Sequence, residues 1–125
     1  MTLLDVNSLP ESQNNTFNGR FYLDGYNQVT DDLFYVLDLK YPTQLKGFEV
    51  LMDLGRVAGT LTCVIYKNNI AVPGATLVID ALNPFSNFTG ALAVDYSVND
   101  VLTAKVTTSG FAPLSNVGDI QVYLK

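Results

Sequence analysis

The fold class follows from one stretch of the sequence, Gly59-Thr-Leu-Thr-Cys-Val-Ile-Tyr-Lys-Asn-Asn-Ile-Ala-Val-Pro-Gly-Ala-Thr-Leu-Val-Ile79. After Gly59 the side chains alternate with the period of two that is typical of a strand with one buried face. Asn68 and Asn69 tolerate the positive φ angles of a tight reversal, and a second alternating run follows Pro73-Gly74. The stretch therefore predicts a β-hairpin. Its predicted inward side chains are Leu61, Cys63, Ile65, Ala75, Leu77 and Ile79.

Similar runs follow one another along the rest of the chain. They predict strands at 17–23, 33–39, 48–54, 91–96, 102–107 and 119–124. No segment has the 3.6-residue period of a helix over ten residues. About eight strands separated by turn residues predict an antiparallel β-sandwich or jelly roll, because a parallel sheet would need crossover helices. Among the predicted inward residues are Leu54, Leu92, Val94 and Tyr96.

The first 18 residues differ from the rest because they have no hydrophobic period. We predict an N-terminal arm at 1–18 and a β-sandwich domain at 19–125. The arm is more aliphatic than a free tail, so we expect it either to pack on its own domain or to dock on a neighbouring subunit. The residues predicted to make that contact are Leu3, Leu4, Val6 and Leu9.

The composition limits the possible partners. The chain has 125 residues, which suits one domain, and 15% of them are charged, against about 25% in an ordinary soluble domain. A net charge of −5 argues against nucleic acid, which a basic surface would bind. No apolar run approaches the ~20 residues of a membrane span, and the first residues do not resemble a signal peptide, so we expect a soluble chain.

Residues that carry out chemistry are scarce in the sequence. The chain has no histidine, and its one cysteine, Cys63, has no partner for a disulfide or a thiolate metal site. Asp31 and Asp32, with Asp24 upstream, are the remaining candidates for a carboxylate pair or a calcium site. Adjacent residues of an extended chain point apart, so a solvated acidic edge is favoured. We therefore expect no catalytic residue, no metal and no cofactor.

Two sets of apolar residues are candidates for contacts with other molecules. The first set lies opposite the inward residues and predicts a subunit interface. It consists of Phe34, Val36, Leu51, Val64 and Val78. The second set lies in or beside predicted loops, where an aromatic ring is able to stack on a sugar or insert into a partner. It consists of Phe85, Phe88 and Phe111, for which ordinary packing at the rim of a sandwich is the alternative.

Three segments, Ala58–Gly74, Val98–Thr107 and Gly118–Leu124, resemble small β-sandwich proteins of tailed bacteriophage virions. In that family a Gly-Thr-x-Thr-Val-x-Ile strand leads to an Asn-Gly turn and an Ile-x-Gly strand, and a Gly-Asp precedes a later strand. The present chain has Asn68-Asn69 at the turn and Asn99-Asp100 at the later position. Both replacements are residues that tolerate unusual φ angles, so the two departures do not argue against the same β-sandwich fold.

The resemblance, which spans about residues 45–125, implies a jelly-roll-like module that is often trimeric. Our first hypothesis is a homotrimeric capsid decoration (cement) protein. It would be made in the host cytoplasm and would bind the major capsid protein across subunit junctions on the outside of the virion. A start at Met1 and the lack of a fibre-repeat region favour this hypothesis. The second is a carbohydrate- or receptor-binding module of a tail fibre or baseplate. The third is a lid or chaperone-like partner of another virion protein.

Overall fold

The computed structural model describes residues 15–23, 33–38, 41–113 and 115–125; in the first two ranges, side chains are described only at 19–21 and 23. These residues contain no helix and form nine strands. The strands are β1 (Asn15–Tyr22), β2 (Leu33–Asp38), β3 (Thr43–Met52), β4 (Ala58–Lys67), β5 (Ile70–Ile79), β6 (Ser86–Thr89), β7 (Val94–Tyr96), β8 (Val101–Ala112) and β9 (Val117–Leu124). No helix in the described ranges is long and apolar enough to cross a membrane.

The strands form two antiparallel sheets that pack face to face. One sheet has the order β1-β9-β3-β6, with β7 also paired to β3, and the other has the order β2-β8-β4-β5. β6 and β7 pair with successive parts of β3, so together they occupy the position of one strand. β1 lies beside β9, and most of the connections between consecutive strands cross from one sheet to the other. This is the jelly-roll order, which confirms the predicted all-β sandwich.

The predicted hairpin is formed by β4 and β5. Asn68 and Asn69 have φ angles of 50° and 69°, the backbone of a two-residue turn whose twist matches the flanking strands. β5 begins directly after this turn, not after Pro73-Gly74 as expected. The register between β4 and β5 shifts at Pro73-Gly74, so that the four residues 72–75 lie opposite Ile65 alone. This bulge accommodates a proline, which cannot donate a ladder hydrogen bond, and Gly74, whose φ is 80°.

The core lies between the two sheets, and the alternation in the sequence identified most of it. All six inward residues predicted for the hairpin are buried, at 7% exposure or less. β9 contributes three further side chains at 1% or less: Ile120, Val122 and Leu124. Tyr96 is buried as predicted, and its hydroxyl donates to the Tyr66 carbonyl oxygen, 3.2 Å away. That bond satisfies the polar end of an otherwise apolar ring.

Two predicted placements are wrong. The sequence pattern places Phe111 in or beside a loop, but β8 continues through Ser109-Gly110 to Ala112. Gly59 and Gly110, with φ angles of 71° and 57°, form a bulge that lets β4 and β8 remain paired. Phe111 is therefore 1% exposed and cannot be a surface contact. Leu54 was expected inside, but β3 ends at Met52 and the Leu54 side chain is 46% exposed.

The N-terminal boundary also differs from the prediction. β1 begins at Asn15, which pairs with Leu124, so residues 15–18 belong to the sandwich sheet and not to an arm. The arm residues Leu3, Leu4, Val6 and Leu9 lie outside the described residues. Their proposed contact therefore stays a prediction.

Among the described side chains, the hydroxyl of Thr43 is the buried polar group without a hydrogen-bond partner. Replacing it with an apolar group of the same shape removes the cost of desolvating an unpaired hydroxyl. We expect Thr43→Val to raise the free energy of unfolding by about 1 kcal/mol in urea titrations. Thr108→Val is the matched control, because Thr108 is 4% exposed and its hydroxyl is not left unpaired. Equal stabilisation by both substitutions would contradict this account.

Candidate functional site

Three loops meet at one end of the sandwich. They are the β3–β4 loop (53–57), the β5–β6 loop (80–85) and the β8–β9 turn, of which 113, 115 and 116 are described. The Arg56 amide donates to the Pro84 carbonyl oxygen at 2.9 Å, which holds the first loop against the second. Neighbouring strand ends thus bring together residues that are distant in the sequence.

A buried asparagine joins the β3–β4 loop to the β8–β9 turn. Asn116 is fully buried, and its side-chain oxygen accepts from the Leu54 amide at 2.9 Å. Its side-chain nitrogen donates to the Leu54 carbonyl oxygen at 2.8 Å. The amide group therefore pairs with both backbone groups of Leu54, as a neighbouring strand would. This pairing fixes the backbone of Leu54 and leaves its side chain directed to solvent.

Four large apolar side chains are exposed on these loops. Leu54 is 46% exposed, Val57 72%, Leu82 87% and Phe85 57%. We call these four residues the loop-end patch. A contiguous exposed apolar patch is typical of a surface that binds a partner, and these four side chains lie on two loops that a backbone hydrogen bond holds together.

The Phe85 ring is held in place although most of it is exposed. It lies against the backbone of Gly55, where an added Cβ would come within 2.8 Å of the ring. The Met52 amide also donates to the Phe85 carbonyl oxygen at 2.7 Å. A fixed aromatic ring loses little conformational entropy on binding, and aromatic rings are frequent anchors of protein interfaces.

An ion cluster lies beside the loop-end patch. Arg20 on β1 forms hydrogen bonds of 3.1 Å with both carboxylate oxygens of Asp119 on β9. It also pairs with Asp53, which directly precedes Leu54 in the β3–β4 loop. These side chains are partly exposed, so the pairs add little stability. Their effect is to connect β1 with the β3–β4 loop, which carries Leu54 and Val57 of the patch.

A second aromatic group lies on the outer face of the five-stranded sheet. Phe88 on β6 is 56% exposed, and its ring meets Tyr123 edge-to-face at 6.1 Å between centroids. The Tyr123 hydroxyl lies 2.7 Å from Oε1 of Gln121 and 3.4 Å from Oε1 of Glu49. Partial burial and the Glu49 carboxylate raise the pKa of Tyr123. We call these four residues the Phe88 cluster.

The residues of the predicted subunit interface do not form one surface. Val64 and Val78 lie half-buried on the outer face of the four-stranded sheet. Leu51 lies on the outer face of the other sheet, where it pairs with Ser86 and Asp119. The two outer faces point in opposite directions, so placing Leu51 in the same patch as the valines was wrong.

The two other predicted interface residues are on β2. Phe34 pairs with Lys105 and Val36 with Thr103 in the ladder between β2 and β8. Lys105 in turn pairs with Val64 on β4. The backbone register therefore puts both β2 positions in the four-stranded sheet that carries Val64, and a subunit interface there stays a prediction.

Sequence reasoning missed most of the loop-end patch. The sequence pattern identifies Phe85 alone among the four residues; it places Leu54 in the core and predicts no role for Val57 or Leu82. Leu82 carried a usable signal, because it is a large apolar residue between Asp80 and Asn83, both turn formers. The Asp80 carboxylate accepts from the backbone amides of Leu82 and Asn83, each at 3.0 Å. This local turn forces the leucine outward.

Features needed for catalysis or metal binding are not apparent in the described part of the chain. No three His, Cys, Asp or Glu side chains there are grouped so as to hold a metal ion. Cys63 is fully buried, and burial raises the pKa of its thiol to about 12. The thiol therefore stays protonated and unreactive in the folded protein. Asp24, Asp31 and Asp32 lie outside the described residues.

The opposite end of the sandwich is closed by a polar network around Asp100. Its carboxylate accepts from the Asn68 side chain at 2.8 Å and from the Ser97 amide at 2.7 Å. The Lys67 ammonium lies 3.9 Å away. The Asn68 and Ser97 hydrogen bonds, helped by Lys67, lower the pKa of Asp100. This network joins the β4–β5 turn to the loop before β8.

Comparisons with known proteins indicate the fold. No protein-family model and no curated protein match the chain. A chain in the acidic stable capsid structure of Helicobacter pylori bacteriophage KHP30 is similar, with a TM-score of 0.53 and 12% identity over 87% of this chain and 86% of that one. The prophage-derived protein YomS of SPBc2 gives 0.40 and 6% identity over 88% and 95%. A β-glucosidase from Paenibacillus barengoltzii gives 0.47 and 10% identity over 96% of this chain and 10% of that one.

The first of these likenesses establishes a shared fold. It covers similar fractions of both chains, so the two have nearly the same length. The other two have lower scores and add nothing to this conclusion.

We expect Asn116→Ala to lower the free energy of unfolding by about 3 kcal/mol, because it leaves buried backbone groups of Leu54 unpaired. Asn87→Ala is the matched control. Asn87 is partly buried and donates one hydrogen bond to the Val78 carbonyl oxygen, at 3.1 Å, so we expect a loss of about 1 kcal/mol. Urea unfolding followed by circular dichroism measures both. Equal losses would show that Asn116 has no special role at this end of the sandwich.

The Asp100 network predicts a dependence of stability on pH. The pKa of Asp100 is lowered in the folded state, and such a carboxylate stabilises the fold above its unfolded-state pKa of about 3.9. This contribution is lost as the pH falls through the folded-state pKa. We therefore expect Asp100→Asn to be less stable than the wild type near neutral pH, and the difference to shrink below about pH 4. A difference that stays constant in unfolding measurements down to about pH 2.5 would contradict this.

Proposed function

We propose that the chain is a non-enzymatic structural protein of a bacteriophage virion, which binds the outside of the capsid as a decoration (cement) protein. The observation that carries the proposal is the loop-end patch. Its four apolar side chains are between 46% and 87% exposed, on loops that hydrogen bonds hold together. Covering such side chains removes apolar surface from water, which favours association.

The loop-end patch is organised before binding. Asn116 fixes the backbone of Leu54, and the Phe85 ring lies against Gly55. A partner therefore meets side chains whose backbone is already ordered, and less conformational entropy is lost on association. Loops that were only weakly tied to the sandwich would not give this advantage.

The fold comparison supports the same role. A jelly roll of nearly this length is present in the KHP30 capsid structure. A single sandwich domain is therefore an appropriate size for a component of a capsid. The likeness concerns the fold, and the contacts that such a protein makes must come from its own surface.

The partner we propose is the major capsid protein, at junctions between its subunits on the outside of the virion. The arm residues Leu3, Leu4, Val6 and Leu9 would extend the contact across a junction. A homotrimer, with Val64 and Val78 in its subunit interface, remains part of the proposal. Binding that requires the assembled shell would stabilise the shell by mass action.

The test uses capsids assembled from the major capsid protein of the same genome, without this chain. We expect the wild-type chain to sediment with these capsids and to raise the temperature at which they melt. Val57→Ser should weaken the binding by about tenfold, because it removes an exposed apolar group from the patch.

Ile70→Ser is the matched control for this test. Ile70 is also 72% exposed, but it lies beside the turn at the opposite end of the sandwich. We expect its substitution to leave capsid binding unchanged. A wild-type chain that does not sediment with capsids, or equal losses from the two substitutions, would overturn the proposal.

A further inference from the structure

The Phe88 cluster lies on a sheet face, whereas the loop-end patch lies on loops. Phe88 is directly opposite Glu49 in the ladder between β3 and β6, and Glu49 is directly opposite Gln121 on β9. Side chains of directly paired residues emerge on the same face of a sheet. The ring, the carboxylate and the amide therefore form one row across the five-stranded sheet.

The Phe88 ring contacts Gly90 and Tyr123 and is otherwise open to solvent. It lies against the backbone of Gly90, where an added Cβ would come within 2.8 Å of the ring. Its contact with Tyr123 is edge-to-face, with 72° between the ring planes. With 56% of the residue exposed, the ring offers solvent an apolar surface of set orientation.

The polar groups beside the ring have unused hydrogen-bonding capacity. The Tyr123 hydroxyl has one proton to donate, and it lies 2.7 Å from Oε1 of Gln121 but 3.4 Å from Oε1 of Glu49. The Glu49 carboxylate therefore receives no short hydrogen bond from the described side chains. The side-chain nitrogen of Gln121 has two N–H donors and no partner within the described part of the chain. A strong acceptor and a donor thus lie next to an apolar ring.

We propose that the Phe88 cluster binds a neutral pyranose unit of an oligosaccharide. The C–H groups on one face of the sugar would pack on the Phe88 ring. Neighbouring hydroxyls at the sugar's edge would donate to the Glu49 carboxylate and accept from the Gln121 amide. A ligand with an apolar face and a rim of hydroxyls satisfies all three groups at once.

Other ligands fit these groups less well. A purely apolar partner would bury the Glu49 carboxylate without a hydrogen bond, which is unfavourable. An acidic sugar would be repelled by the Glu49 carboxylate and by the net charge of −5. The arrangement therefore favours uncharged sugars.

This binding site goes beyond the proposed capsid role and does not depend on it. The two proposals use different side chains, Phe88 for the sugar and Phe85 for the capsid. These residues are 56% and 57% exposed, and each ring lies against a glycine. Each substitution therefore serves as the control for the other.

Saturation-transfer NMR with the full chain measures the sugar binding. The probes are methyl glycosides of glucose, galactose, mannose and N-acetylglucosamine, their disaccharides, and N-acetylneuraminic acid as the charged sugar. We expect transfer to the ring C–H protons of at least one neutral sugar, with millimolar affinity, and none to N-acetylneuraminic acid. No transfer to any neutral sugar, or equal transfer to the charged one, would overturn the proposal.

The variants localise the site. We expect Phe88→Ala and Glu49→Ala each to weaken sugar binding at least tenfold without loss of capsid binding. Phe85→Ala should leave sugar binding unchanged and weaken capsid binding. Thermal unfolding of each variant verifies that it is folded. Sugar binding that is unaffected by Phe88→Ala, or equally weakened by Phe85→Ala, would contradict the proposed site, whatever the result with capsids.

Discussion

The architecture depends on the pairing of β9 with two strands that are distant in the sequence. β9 pairs with β1 on one side and with β3 on the other, and it directs Ile120, Val122 and Leu124 into the core. Arg20 and Asp119, which form an ion pair across the first of these ladders, are 99 residues apart. Because β1 and β9 are the first and last strands of the described residues, the five-stranded sheet is complete only when these two distant segments have come together. Such long-range pairing costs loop-closure entropy, which the buried strands must offset.

The same pairing determines where the two candidate contact surfaces lie. The turn that leads into β9 carries Asn116, so the buried amide comes to the end of β3 and fixes Leu54 there. Glu49, Gln121 and Tyr123 become neighbours only because β3 and β9 are adjacent. The loop-end patch and the Phe88 cluster are therefore consequences of strand order.

Glycine has a similar role at both surfaces. At Gly55 and Gly90, the missing side chain leaves room for the ring of an exposed phenylalanine to lie close to the backbone. A ring held this way keeps most of its apolar surface in water without moving freely, which is costly for an isolated chain and useful for a binding protein. The few charged residues of the chain agree with this, since much of the surface is neutral.

The sequence by itself determined the all-β class, the hairpin turn at Asn68-Asn69 and most inward side chains, because the period of two depends only on which residues face the core. The predictions from the sequence were wrong at the ends of two strands. Phe111 is buried because Gly59 and Gly110 let β8 stay paired, and Leu54 is exposed because Asn116 holds its backbone outside the sheet. The sequence also could not show that Leu51 and Val64 belong to opposite faces. Those outcomes, and both candidate sites, were decided by the tertiary structure. The strand order brings together residues that are far apart along the chain, and residues so far apart produce no local sequence pattern that could predict their contact.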